Sequence, residues 1–149
     1  MKLCTEPEAE MSDENLVKQL KRHEGFRSKP YKDTVGKSTI GYGCNLDDRG
    51  ITEQEAEYIL LNDVKKIRAE LSDHDVYKNL SPERQDVLVN MAFNMGLAGL
   101  FKFKRTLKSV EEGEYVTASK QMLESKWARQ VGRRAVELAD QMRTGRYKD

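Results

Sequence analysis

Between Phe26 and Asn45 the chain carries Pro30, Gly36, Gly41 and Gly43, interleaved with Tyr31, Val35, Thr39, Ile40 and Tyr42. The first set interrupts helices, and the second favours extended backbone. This spacing predicts a small β-hairpin with its turn near Thr34 to Lys37. Twenty residues cannot bury a core of their own, so the sheet must lean on structure supplied elsewhere. Everything after residue 52 is helical in pattern, which fixes the class as α+β.

Helices are expected on both sides of the hairpin. Ser12 is a candidate N-cap, followed by Asp13 and Glu14 in a first turn where the helix dipole favours anions. Leu16, Val17 and Leu20 share one face, Glu24 follows on the same side, and Gly25 can end the helix. Thr52-Glu53-Gln54-Glu55 has the capping-box pattern. From there Ala56, Ile59, Leu60, Val64, Ile67 and Leu71 keep helical spacing for about twenty residues, or roughly 30 Å. Ser81-Pro82-Glu83 starts another helix, running through Val87, Leu88, Met91 and Met95 to Gly96. Tyr115 to Trp127 and Arg133 to Met142 each carry helical apolar spacing.

The expected division is a loose acidic tail over 1–11 and one domain over 12–149. That domain has a β-rich lobe at about 25–51, a joining helix at about 52–71, and a helical lobe from 12–24 plus 72–149. A cleft between the lobes, with Glu24 at its edge, is the natural place for a binding site.

Composition narrows the function classes. With 38% hydrophobic and 34% charged residues, the chain reads as globular rather than disordered. No stretch approaches the roughly 18 to 20 apolar residues of a membrane span, and residues 1–14 hold no apolar signal-peptide core. The expectation is therefore a chain made and left in a cytoplasm, without stable membrane insertion. Cys4 and Cys44 form no CxxC or Cys/His cluster and are expected as reduced thiols. His23 and His74 come without metal-ligand spacing, so neither a metal nor a cofactor is expected. Net charge is +1, but residues 126–149 hold seven Lys/Arg against three Asp/Glu, a balance suited to an anionic polymer. Phe101 and Phe103 alternate with Lys102 and Lys104, yet no nucleic-acid-binding motif accompanies them, and no nucleic-acid partner is expected.

Three polar side chains converge at the hairpin edge. Glu24 ends the first helix, Asp33 the first strand, and Thr39 lies on the return strand, near Asp33 across the hairpin. Two carboxylates facing one groove, one partly buried and one exposed, are what glycoside hydrolysis requires. One protonates the departing oxygen and the other orients water. By spacing alone, a helix-end Glu and a turn Asp are better explained as a surface charge and a turn-former.

The string around them is more specific. His23-Glu24-Gly25-Phe26-Arg27, Tyr31 to Gly36 and Ser38 to Gly43 together resemble the phage-type lysozymes, glycoside hydrolase family 24. That family's pattern is Glu, Asp nine residues on, then Thr six further, which Glu24, Asp33 and Thr39 match. Gly50-Ile51-Thr52 to Val64 resembles the start of its interlobe helix, and Asn90 to Gly96 its central helix. Ser125-Lys126-Trp127, Arg134-Ala135 and Arg143-Thr144-Gly145 resemble its C-terminal signature.

The resemblance implies a lysozyme-like fold and an endolysin that hydrolyses the β-1,4 bond between N-acetylmuramic acid and N-acetylglucosamine. It implies Glu24 as general acid, Asp33 as the base activating water, and Thr39 as an aid in placing that water, with inversion at the anomeric carbon. Arg134 matches an arginine that pairs with the catalytic Glu, and Phe93, Asn94 and Gly43 are expected as substrate-binding or supporting residues. It also implies peptidoglycan as substrate, a monomer, storage in the host cytoplasm, and release through a holin-type partner. Cys44 stands where many relatives have His, so the family's histidine–aspartate pair cannot form as usual. Trp127, four residues after Leu123, is expected in the core rather than as a sugar platform, and Phe93, Met91 and Met95 are expected in the core too. Two rival readings are a lytic transglycosylase, which needs no water-activating Asp, and a non-catalytic peptidoglycan-binding module.

Overall fold

A computed structural model describes residues 13–148, so the expected tail over 1–11, Ser12 as N-cap and Cys4 lie outside the described residues. The chain divides into two compact units, residues up to Leu61 and residues from Asn62. The fold is α+β: eight helices and a three-stranded antiparallel sheet among the described residues.

The first unit opens with α1 (Glu14–Glu24), which ends at Gly25. Then come β1 (Arg27–Lys32), β2 (Ser38–Gly41) and β3 (Cys44–Asn45), with β2 in the middle. The register pairs Arg27 with Gly41, Tyr31 with Thr39 and Lys32 with Ser38, with an irregularity between Arg27 and Tyr31. The turn falls where the spacing placed it. Asp33 builds it, its Oδ1 accepting from the backbone N–H groups of Val35 (3.0 Å) and Lys37 (2.8 Å). An Asp that bonds the main chain two residues on is a turn-maker by itself. β3, two residues long, is too short to leave a pattern in sequence. It pairs Thr39 with Asn45 and Ile40 with Cys44.

The long helix α2 (Glu53–Leu71) starts on its capping box. Thr52 Oγ1 accepts from Glu55 N–H at 3.1 Å, and Glu55 Oε1 accepts from Thr52 N–H at 2.9 Å. These bonds, with the Arg49 guanidinium beside them, hold the Glu55 carboxyl at about 2. A carboxyl depressed in the folded chain stabilises it fully above its unfolded value, near 4.5, and loses that contribution as pH falls through about 2. Acid titration followed by helical circular dichroism should therefore show a loss between pH 4.5 and 2 that Glu55→Gln removes. An unchanged acid limb in that variant would separate the capping box from acid stability.

The second unit holds the core. Helices α3 (Asp75–Lys78), α4 (Pro82–Phe101), α5 (Lys104–Glu111), α6 (Tyr115–Leu123), α7 (Lys126–Val131) and α8 (Arg133–Thr144) enclose Leu71, Leu88, Met91, Leu100, Met122 and Met142, all buried. Ser81 caps α4 by accepting from Arg84 N–H, and α4 breaks inside at Gly96, with φ +79° and ψ 162°. The single helix expected over Tyr115 to Trp127 is instead two. Ser125 accepts from Ala128 N–H at 3.1 Å and starts α7 anew. Arg84 ties the end of α8 down: its Nε donates to Met142 O at 2.7 Å, while its guanidinium lies 3.6 Å from the Tyr115 ring centroid. No helix of the described residues is long and apolar enough to cross a membrane.

Candidate active site

Glu24 is the last residue of α1, where the helix dipole favours cations and the preceding Lys21, Arg22 and His23 oblige. A carboxylate there has no helix-stabilising reason to be present. Its side chain meets the β2–β3 turn at Gly43. A methyl group added at Gly43 would stand 2.7 Å from Glu24 Oε2 and 3.1 Å from Cδ. Gly43 also has φ +76°, so it gives both the turn and the room the carboxylate occupies.

Asp33 and Thr39 are brought together through the backbone of one residue, Lys37. Asp33 Oδ1 accepts from Lys37 N–H, while Thr39 Oγ1 donates to Lys37 O at 3.0 Å. Thr39 is opposite Tyr31, two residues before Asp33, so the two side chains are diagonal neighbours on one face of the hairpin. Thr39 is 3% exposed on the central strand. Its one proton is committed to Lys37, which leaves its lone pairs as acceptors. Asp33 Oδ2 has no hydrogen-bond partner among the described residues.

Burial differs from the sequence expectation. Glu24 is exposed, and Asp33 is the half-covered carboxylate. The reason is local: Asp33 folds back onto its own turn, whereas Glu24 extends from a helix end.

Cys44 is a free thiol. In place of a histidine–aspartate pair, its Sγ accepts from Arg49 Nη1 at 3.1 Å. Arg49 Nη2 in turn donates to both Glu55 oxygens, at 3.1 and 2.9 Å. β3 is thus tied to the start of α2 by a thiol–guanidinium–carboxylate chain. The capping pattern revealed Glu55 in the sequence, but nothing revealed its second role.

In the second unit, Arg134 lies on α8 and is held by α4. Its Nε and Nη2 donate to Asn90 Oδ1 at 3.0 and 2.7 Å, and Nη2 also donates to Asn90 O at 3.2 Å. Trp127 is core as expected, and its Nε1 donates to Asn94 Oδ1 at 2.9 Å. Asn94→Leu would leave that indole N–H unpaired, and should lower unfolding stability by about 1 to 3 kcal/mol in denaturant titration. A smaller change would mean water replaces the amide. Met91 is buried and Met95 packs partly on the core, but Phe93 is not core. It is 45% exposed, on the flank of a shallow hollow shared with Asp63, Lys66, Glu70 and Gly96. The break at Gly96 ends the regular turn of the helix next to it.

The sequence profile of the family described as phage lysozyme matches residues 21–143, most of the chain. A probable T4-type lysozyme 1 of Dictyostelium discoideum is 30% identical, over 85% of this chain and 92% of its own. A probable T4-type lysozyme 2 of the same organism is 29% identical, over 91% and 97%. An endolysin of Acyrthosiphon pisum secondary endosymbiont phage 1 is 32% identical over 80% of each chain. The chain belongs to the phage lysozyme family, and its function is of that family's cell-wall-lytic, muramidase type.

Proposed function

We propose that this chain is an inverting endolysin that hydrolyses the β-1,4 bond between N-acetylmuramic acid and N-acetylglucosamine in peptidoglycan. Glu24 donates its proton to the glycosidic oxygen as the bond from that oxygen to the anomeric carbon breaks. A water attacks the anomeric carbon from the opposite face and gives its proton to Asp33 Oδ2. A lone pair of Thr39 Oγ1 accepts the water's other hydrogen and aims it. The products are a new reducing end of inverted configuration and a free 4-hydroxyl.

The observation that carries this reading is the unbonded Asp33 Oδ2 beside a hydroxyl that can only accept, both anchored on Lys37. A group built to hold water is what a hydrolase needs and a transglycosylase does without. Gly43 supports the reaction by seating Glu24, and Arg134, Phe93 and Asn94 are assigned further supporting or substrate-binding roles. The setting we propose is lysis of a bacterial host, by a monomer stored in the cytoplasm and released by a holin-type partner.

The test is digestion of purified peptidoglycan, with end groups read by mass spectrometry and anomeric configuration read by NMR in the first minutes. Reducing ends, formed first as the α-anomer, are expected. 1,6-Anhydro ends would assign a transglycosylase and remove the role of Asp33. Binding without any new ends would assign a non-catalytic module.

A further inference from the structure

One surface of the first unit lies outside the groups used above. Phe26 and Tyr42 are 66% and 47% exposed, and their rings meet in a tilted contact with centroids 5.5 Å apart at 47°. Lone exposed apolar side chains are ordinary, but two large rings held together in solvent mark a place of contact. A cation flanks them: Lys21 Nζ stands 5.4 Å from the Tyr42 ring centroid. Arg27, whose guanidinium lies 4.8 Å from the Tyr31 ring centroid, pairs in register with Gly41, the residue before Tyr42, and so is the next cation along the hairpin.

The charge of the strip is uneven. Residues 15–37 hold seven Lys/Arg against two Asp/Glu. Lys18 pairs with Glu14 and Lys37 with Asp48. Lys21, Arg22, Arg27, Lys29 and Lys32 are exposed and form no ion pair among the described residues. Two exposed rings with Lys21 against them, in a segment with this excess of unpaired cations, ask for a partner with flat apolar faces and negative charge.

The geometry points to a docking strip for the peptidoglycan strand itself, outside the cleaving groups, made by Phe26, Tyr42 and Lys21, with Arg27 the next cation along the hairpin. It rests on the substrate class proposed above. A pyranose presents a face of C–H bonds that packs on an aromatic ring, while lactyl and stem-peptide carboxylates meet the cations. The rings carry contact area and the cations carry capture and retention. A peptidoglycan strand supplies both chemistries at sugar spacing. Tyr42 precedes Gly43, against which Glu24 is seated, and Phe26 follows Glu24 by two residues, so the strip starts close to the proposed acid in the chain.

The experiment is co-sedimentation with insoluble peptidoglycan in a Glu24→Gln background, so that binding is read without cleavage. Phe26→Ser with Tyr42→Ser, and separately Lys21→Glu with Arg27→Glu, should each weaken binding about tenfold. Val116→Ser, an exposed apolar change in the second unit, should leave it unaltered. At about 0.3 M salt, where the Debye length is near 6 Å, the deficit of the charge variant should shrink and that of the ring variant remain. All four side chains are exposed, and circular dichroism should show both variants folded. Unaltered binding in both double variants would overturn the strip. So would a loss on anionic phospholipid vesicles in place of peptidoglycan. If the unmutated enzyme releases reducing ends while both double variants bind normally, only the strip falls; if it releases none, the muramidase reading falls first.

Discussion

Glu24→Gln should lower the rate of peptidoglycan hydrolysis by about a hundredfold or more, the scale of a lost general acid, while leaving the fold intact. The substitution conserves shape. Glu24 is exposed, forms no ion pair among the described residues, and touches Gly43 only through van der Waals contact. A glutamine can therefore lie where the glutamate lies, and thermal unfolding should be unchanged. Asp33→Asn is the matching change on the other carboxylate. Its remaining carbonyl can still accept from Val35 and Lys37, so the turn should survive while water activation is lost. Turbidity loss of permeabilised cells gives the rates. Retention of more than a tenth of wild-type rate in Glu24→Gln would take the acid role away from Glu24.

That pair of variants separates two kinds of information in the sequence. The turn at Asp33, the start of α2 at Thr52 and the start of α4 at Ser81 were all legible, because each depends on a side chain bonding the main chain within four residues. Tyr115 to Trp127 was not. Apolar spacing carries across the junction, but Ser125 accepts from Ala128 N–H and begins a second helix, and a helix period cannot show its own interruption. Phe93 failed for a simpler reason. It lies two residues from Met91, and in a helix that spacing turns it away from the face that Met91 and Met95 share.

The candidate site divides in the same way. Glu24, Asp33 and Thr39 were found by residue type and spacing within a resemblance, and the hairpin register places the last two on one face. Their link through the Lys37 backbone was invisible, because every residue but proline has a backbone N–H and carbonyl. The thiol–guanidinium–carboxylate chain from Cys44 was hidden for the opposite reason. Arg49 and Glu55 lie within eleven residues of Cys44, but no periodicity connects loop to helix. Of the exposed rings, Tyr42 read in sequence as a strand-former and part of the resembling string, and Phe26 only as part of that string.

Gly43→Ala should be nearly as damaging to activity as Glu24→Gln, by a route that leaves the carboxylate in the chain. Two effects combine at this position. A non-glycine residue at φ +76° is strained by about 1 to 3 kcal/mol. The added methyl also stands 2.7 Å from Glu24 Oε2, closer than carbon and oxygen tolerate, so the carboxylate must move. Displacing a reacting group by about 1 Å costs on the order of a hundredfold in rate. Gly41 separates the two effects. It has φ +69°, and a methyl there meets nothing within 4 Å. Gly41→Ala should therefore show the loss of stability by thermal unfolding and keep most of its activity, whereas Gly43→Ala should show the same stability loss and about a hundredfold slower lysis. Equal rates in the two alanine variants would mean that Glu24 does not need its seat against Gly43, and that the proton donor lies elsewhere.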